Sequence, residues 1–347
     1  MPHVRRINSR RSRGQVMRTR ANSGTRRHQL LAVTGLVIVA WIHAASAATL
    51  DELNFLIPGG PGGGWDTTAR GTGEALVKAG IVGDVSYQNL SGGGGGRAIA
   101  KLIETAPRQR STLLVNSTPM IVRSLQKIFP HSFRDLRPIA SVIADHGAFV
   151  VRADSALKTW DDVVAAFNKN PRQLKVAGGS VRGSTDHLIF ARAIQLAGGN
   201  PRRVLYIPYD AGGKAMAGLL TGETDILSTG FGEAVDMYRA GEVRYIGIAA
   251  DERIADAPDV PTLRSQGCDV VFANWRGFFA APGHSDEVYA RLSAALAALV
   301  VSDAFAEVRR RHGWSLHYRT DADFVTFLTQ QETEIGQLMR ELGFLRK

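Results

Sequence analysis

The sequence predicts an α/β fold divided into two domains. Three observations predict it. Apolar runs of four to seven residues alternate with stretches of helical periodicity along most of the chain, the pattern of parallel sheets covered by helices. Several of these runs end in glycine-rich or small polar loops that lead straight into a helix; in open α/β sheets such loops gather at the carboxyl ends of the strands, where ligands sit. About 300 residues remain once a basic leader is set aside, more than one core usually organises.

The leader occupies residues 1–47 and holds nine arginines with no Lys, Asp or Glu, so it carries nine of the chain's ten net positive charges. The remainder is near neutral, which removes the charge argument for nucleic acid or an anionic membrane as partner. An arginine-rich stretch runs to Arg27, an apolar segment covers 30–42, and Ala45-Ser46-Ala47 fits the small-x-small cleavage rule. The apolar run is short for a membrane span. A signal peptide cleaved after Ala47 is expected, with an uncleaved anchor helix as the alternative. Thr25-Arg26-Arg27 has the twin arginines of a second export route, but Gln29 stands where an apolar residue is preferred, so ordinary secretion is expected. Met17 is an alternative start. The single Cys268 allows no internal disulfide, lies too far from the leader to anchor a lipid, and reads as a buried small hydrophobe.

The first strand is expected at 53–57. It runs into a loop in which five of the six residues 59–64 are glycine, and a helical pattern then starts near Asp66 and closes at Gly80. Asp66 reads as the helix N-cap that fixes this loop. A second strand at 84–88 leads through Asn89-Leu90-Ser91 to five glycines, 92–96, and a helix that stops at Pro107. Glycine allows close backbone approach, and the first amides of a helix lack internal partners, so each loop has the geometry to hold an anion. A plain strand-to-helix turn is the alternative for either loop. Neither loop fits a nucleotide signature: Trp65-Asp66 and Arg97-Ala98 replace the Lys-Ser/Thr of a phosphate-binding loop, and the dinucleotide pattern would put its last glycine on Arg97.

Further strands are expected at 112–116, 138–143, 148–152, 173–177, 203–208, 224–227, 243–249, 270–273 and 277–281. Thr159 caps a helix to 168, and Ser184 or Thr185 caps one that ends at Gly198-Gly199; another helix covers 214–220, a short one falls within 259–268, and three more cover 286–301, 303–312 and 322–342. The turns that follow strands carry Ser117 and Thr118, the run Gly183, Ser184, Thr185 and His187, then Gly213, then Ser228 and Thr229.

No catalytic apparatus emerges. Ser180 lacks the glycine that would make a nucleophile elbow, no HExxH occurs, and the histidines after the leader show no ligand spacing beyond His312 and His317, which straddle a helix end. His187, one turn into its helix, reads as a packing residue, and no carboxylate pair stands out. Many anion-facing amides without chemical machinery favour binding over turnover, with no metal and no cofactor expected.

Pro58-x-x-Pro61-Gly62-Gly63-Gly64-Trp65-Asp66, the glycine loop after Asn89, Val151-Arg152-Ala153-Asp154-Ser155, Pro261-Thr262-Leu263 with Gln266-Gly267, and Arg276-Gly277-Phe278 resemble the extracytoplasmic solute receptors of tripartite tricarboxylate transporters, the Bug family, nearest its tricarboxylate-binding branch. The resemblance covers essentially all of the chain after the leader. It implies a two-domain Venus-flytrap binding protein of type II with two crossovers and the ligand in the interdomain cleft. Domain one would comprise 48–149 with 249–347, and domain two 150–248. It further implies a monomeric periplasmic receptor for citrate or another di- or tricarboxylate, delivering to one large and one small membrane subunit.

In the family one carboxylate is held by the first strand-helix loop and a facing loop of the second domain. Carried over, these are Gly59, Gly60, Gly63, Gly64, Trp65 and Asp66, and Gly183, Ser184, Thr185 and His187. Asn89, Ser117, Thr118, Gly213, Ser228 and Thr229 fall on other cleft-facing turns, and Arg182 or Arg276 could add bidentate carboxylate contacts. Arg182 looks like an insertion, and Gly230 stands where relatives often carry a polar residue. The shared loops recognise only one carboxylate, so an aromatic or amino-acid carboxylate stays open as ligand, as does sensing without transport. Trp65, Trp275 and Phe278 are stacking walls or core residues.

Overall fold

A computed structural model describes residues 50–255 and 257–345; the expected signal peptide and its cleavage site lie outside the described residues. The chain alternates strand and helix from the start: β1 (Leu50–Ile57), α1 (Gly64–Lys78), β2 (Val82–Asn89), α2 (Gly96–Glu104), β3 (Thr112–Ser117), α3 (Thr118–Leu125), β4 (Arg137–Arg152) and α4 (Trp160–Lys169). It continues through β5 (Lys175–Gly178), α5 (Thr185–Leu196), β6 (Leu205–Pro208), α6 (Gly212–Leu220), β7 (Ile226–Gly230), α7 (Phe231–Arg239) and β8 (Val243–Ile248). It closes with β9 (Ala273–Ala280), α8 (Asp286–Val300), α9 (Asp303–His312), β10 (Ser315–Thr320) and α10 (Asp321–Leu342).

The strands form one mixed sheet in two halves. Its order is β2-β1-β3-β9-β4-β7-β5-β6, with β8 and β10 also pairing β4. The two ends are parallel, β1 with β2 and β3, and β5 with β6 and β7. The middle is antiparallel, because β4 and β9 run against their neighbours. The sequence suggested parallel sheets throughout; it missed the middle because a strand's direction depends on where its crossover returns. Two expected breaks also vanish. Separate strands at 138–143 and 148–152 are one sixteen-residue strand, β4, and Asn274, Trp275 and Arg276 lie inside β9 instead of between two strands. Asp145, Asn274 and Arg276, polar as they are, are buried within the ladder.

β4 belongs to both halves. Its residues from Arg137 to His146 pair with β9, whereas Gly147 to Arg152 pair with β7 and β8. The return path after β8 is the segment 249–272, pinned by a bridge between Ile248 and Thr262. Cys268 on this path is buried, its thiol directed at the Ala193 carbonyl of α5 at 3.9 Å.

Alternation along β9 sends Trp275 and Phe279 to one apolar layer and Phe278 and Ala280 to the other. Full burial of one such aromatic side chain stabilises by about 1.5–3 kcal/mol. Trp275 and Phe278 are thus core residues, and of the three aromatics only Trp65 faces the cleft described next. Three elements were not anticipated: α3, α7 and β10. The helix α3 hides behind the Pro119 turn, where proline occupies the first helical turn without cost.

Candidate functional site

The loops at the strand ends enclose a cleft of about 360 Å³. Four helix N-cap residues line it: Gly63 of α1, Gly95 of α2, Ser184 of α5 and Ala211 of α6. Of the residues expected to bind, Gly59, Gly60, Gly63, Gly64, Trp65, Ser184, Thr185 and Arg276 lie in its wall.

The others stand behind that wall and shape it. Asp66 is not the N-cap of α1 but sits in its first turn, because the helix begins two residues earlier at Gly64. Its buried carboxylate accepts from the Gly62 amide at 3.0 Å, Arg70 Nε at 3.0 Å and Asn89 Nδ2 at 2.9 Å. Asn89 Nδ2 also donates to the Gly59 carbonyl at 3.0 Å, so the pair clamps both ends of the first glycine loop. Burial alone would raise the Asp66 pKa; the Arg70, Gly62 and Asn89 bonds outweigh it and hold the group below the usual carboxylate range. Ser117 Oγ accepts from Trp65 Nε1 at 2.8 Å and Arg276 Nη1 at 3.3 Å, fixing both cleft side chains. Thr118 is buried, and Gly213 packs against Gly62.

On the facing side, His187 Nδ1 accepts from the Gly183 amide at 3.0 Å, and the ring stacks on Tyr206 at 4.6 Å. Burial, with Arg182 nearby, pushes its pKa down to about 3. His187 is therefore a neutral loop brace. Arg182 is turned to the Tyr206 carbonyl at 2.9 Å and takes no place in the wall. Ser228 Oγ donates to the Asp186 carbonyl at 2.8 Å.

The second glycine loop contributes more than expected. Gly92, Gly93, Gly94 and Gly95 all have φ between 60° and 129°, a run only glycine adopts readily, and all four line the cleft. Gly94 lies against the Arg123 side chain. Arg123, from α3, is almost fully buried; it donates to Gln126 Oε1 at 2.6 Å and the Val181 carbonyl at 3.3 Å, and makes no ion pair among the described residues. Burial lowers its pKa to about 10, so it stays charged at neutral pH.

The largest surprise is acidic. Glu233, in the first turn of α7, faces the cleft with its carboxylate 3.3 Å from Arg276 Nη2. The Gly64 amide and the Thr229 hydroxyl lie near it and favour its ionised form. Asp145 of β4 stands 3.8 Å from the same guanidinium and takes the Gly232 amide at 3.1 Å. Burial raises the Asp145 pKa to about 6 against the pull of Arg276, and burial, then Asp145, raises that of Glu233. A Cβ at Gly64 would collide with both Arg276 and Glu233, which is why this helix begins on glycine. Asp186 completes the group: it lines the cleft, its backbone amide donates to Ser180 Oγ at 3.3 Å, and burial with Glu233 nearby raises its pKa to about 7. Arg276 thus neutralises neighbouring acids instead of waiting free for a ligand. Sequence reading missed Arg123, Asp145, Asp186 and Glu233; Arg123 and Glu233 had no local signal because their helices were not anticipated.

The family model for the tripartite tricarboxylate transporter family receptor matches residues 69–344. The chain belongs to this receptor family. A UPF0065 protein of Bordetella pertussis is 26% identical over 320 residues, covering 89% of this chain and 96% of that protein. The periplasmic binding protein BugD has the same fold, with a TM-score of 0.76 at 21% identity over 84% of this chain and 98% of that one. So does MatC from Rhodopseudomonas palustris, a structure with bound malate, with a TM-score of 0.73 at 22% identity over 83% and 98% of the two chains. The receptor accordingly has the two-domain solute-binding architecture of these proteins, and its glycine loops open on the cleft between strand ends.

Proposed function

We propose that the receptor is exported by its arginine-rich leader, captures a small carboxylate in the periplasm, and presents it to the large and small membrane subunits of a tripartite tricarboxylate transporter. The observation that carries this reading is the convergence of four helix N-caps on one cleft. Each N-terminus contributes about 0.3–1 kcal/mol towards an anion at an exposed site and up to about 2 when partly buried. Micromolar affinity needs roughly −8 kcal/mol, so several loops must act together. Ser184 Oγ and Thr185 Oγ1 are buried in the wall without a protein partner, and each offers a donor to a ligand oxygen. Malate in MatC is a carboxylate bound by the same fold.

A division at 48–149 with 249–347 against 150–248 is part of this reading, and two features support one near it: β4 changes partners from β9 to β7 and β8 at Gly147, and the chain returns after β8. Closure of these lobes over the ligand removes water and strengthens each amide-to-carboxylate bond. The monomer is the working unit in this reading, and the closed form docks on the membrane subunits. Citrate, the trianion suggested by the tricarboxylate-binding branch, is the first candidate to test. The cleft weighs against it, because Arg276 already faces two carboxylates.

A thermal-shift screen of residues 48–347 against carboxylates of graded charge tests the proposal. A ligand at about 100 times its Kd should add about 2.7 kcal/mol of stability. A shift with any small carboxylate, absent with uncharged analogues, supports the receptor reading. No shift with any carboxylate, for protein first unfolded and refolded to shed copurified ligand, overturns it.

A further inference from the structure

The two halves of the molecule touch at the rim of the cleft and again at its floor, and the two contacts differ in kind. At the rim the first glycine loop meets Gly213, and Arg123 and Gln126 of α3 reach the carbonyls of Val181 and Gly183 at 3.3 and 3.4 Å. These are long bonds to neutral acceptors and a contact without side chains. Further out, Arg192 of α5 and Glu341 of α10 stand 3.6 Å apart, both exposed, and such a pair adds little. At the floor Glu233 of α7 meets Arg276 of β9 at 3.3 Å, their side chains only 13% and 6% exposed. Among the described residues this is the one ion pair joining the halves that solvent scarcely reaches. Glu233 also stands between two helix ends, one from each half. A Cβ on Gly64, the first residue of α1, or on Gly212, the first residue of α6, would collide with its carboxylate. Both helix ends attract negative charge. The chain thus supplies its own anion where the halves meet, and every partner of that anion belongs to the chain. The pair lies close to the point where β4 passes from one half to the other, since Gly147 pairs with Gly230, three residues before Glu233. So near a pivot, a small separation at the pair becomes a wide swing at the rim.

We propose that the Glu233–Arg276 pair is a latch that holds the two lobes together before any solute binds. This rests on the two lobes of the receptor reading and goes beyond it, because closure there is driven by the ligand alone. With the latch engaged, the empty receptor is mostly closed, and a solute enters through the open minority. The latch therefore sets how often the cleft admits a solute. It re-forms when the loaded lobes close, so the pair belongs to the empty and the filled closed forms alike. Glu233 acts here as a positioning residue: it fixes one lobe against the other through Arg276 and the two helix ends.

The test is a double electron–electron resonance measurement across the cleft, on protein spin-labelled at Glu104→Cys of α2 and Ala217→Cys of α6, both exposed and on opposite halves. Cys268 is buried and stays unlabelled. Without any solute, the labelled protein with Glu233 intact should show mainly the short separation of the closed arrangement described above. Glu233→Ala should move the closed-to-open ratio roughly 10- to 100-fold towards open, the range a charge-assisted hydrogen bond supplies. Asp145 keeps Arg276 paired in that variant. If the variant does not fold, the distances in the protein with Glu233 intact stand as the measurement. A distribution dominated by long separations with Glu233 intact, or a ratio unchanged in folded Glu233→Ala, overturns the inference. Both results are read without ligand, so either leaves the receptor reading intact. Failure of every carboxylate in the thermal-shift screen overturns the receptor reading instead, and the same distances still decide the latch.

Discussion

Two carboxylate clusters brace the cleft, and they solve the same problem with opposite balances. Asp66 is one acid with ample donors: Arg70, Asn89 and the Gly62 amide surround it, and its pKa falls. Asp145 and Glu233 are two acids around one guanidinium, deeper in the protein, and their pKa values rise. Burial acts on both clusters in the same direction. What separates them is the number of donors per negative charge. The first cluster is a fixed clamp on a glycine loop. The second is a cluster in which Asp145 titrates at about 6 and Glu233 and Arg276 line the cleft.

The largest expected effect breaks the second cluster. Arg276→Met should cost about 3–5 kcal/mol at neutral pH, because it leaves two buried carboxylates without their counter-charge. Urea denaturation measures it, and a cost below about 1 kcal/mol would mean that Arg276 is not their neutraliser. Next comes the first cluster: Asp66→Ala should cost about 1–3 kcal/mol by orphaning the Gly62 amide and freeing Asn89. The same denaturation series reads this value.

The pH dependence of these two penalties sharpens the contrast. Asp145 and Glu233 have folded pKa values above their unfolded ones, so the native state holds extra protons; the Asp145 contribution to stability falls as pH rises from its unfolded value of 3.8 through about 6, and that of Glu233 changes in the same direction. Removing Arg276 raises them further, so the Arg276→Met penalty should grow between pH 5 and pH 8. Asp66 has a lowered folded pKa, so its contribution is fully present above the unfolded value of 3.8 and is lost only as pH falls below it. The Asp66→Ala penalty should stay flat over that same interval. Equal slopes would sink the distinction. The smallest effect concerns neither cluster. Ser184→Ala removes a hydroxyl with no protein partner, so the unliganded melting transition should move by less than about 0.5 kcal/mol. Titration with whichever carboxylate binds should show the loss instead.

The two clusters also divide what could be read from the sequence. Asp66 lies two residues after Gly64, and Asn89 opens the second glycine loop, so adjacency announced the first loop and its clamp. Glycine runs between a strand and a helix are local signals, and every one of them reached the cleft. Asp145, Asp186, Glu233 and Arg276 are spread over more than 130 residues, and each sits in an ordinary stretch. Only the antiparallel centre of the sheet brings them together. That centre was the least legible part of the fold, because it required β4 to run unbroken through residues 144–147, which the sequence reading left between two strands. Arg276 was picked out for its charge, and its role changed once its neighbours were visible.

The lone thiol on the return path has a practical meaning. Cys268 is sealed against Ala193 where that path crosses α5, and burial raises its pKa to about 11. Thiol reagents attack only the ionised, accessible form. The rate at which this protein is alkylated thus clocks how often that seam parts, and any bound solute that holds the seam shut should slow the clock without an engineered label.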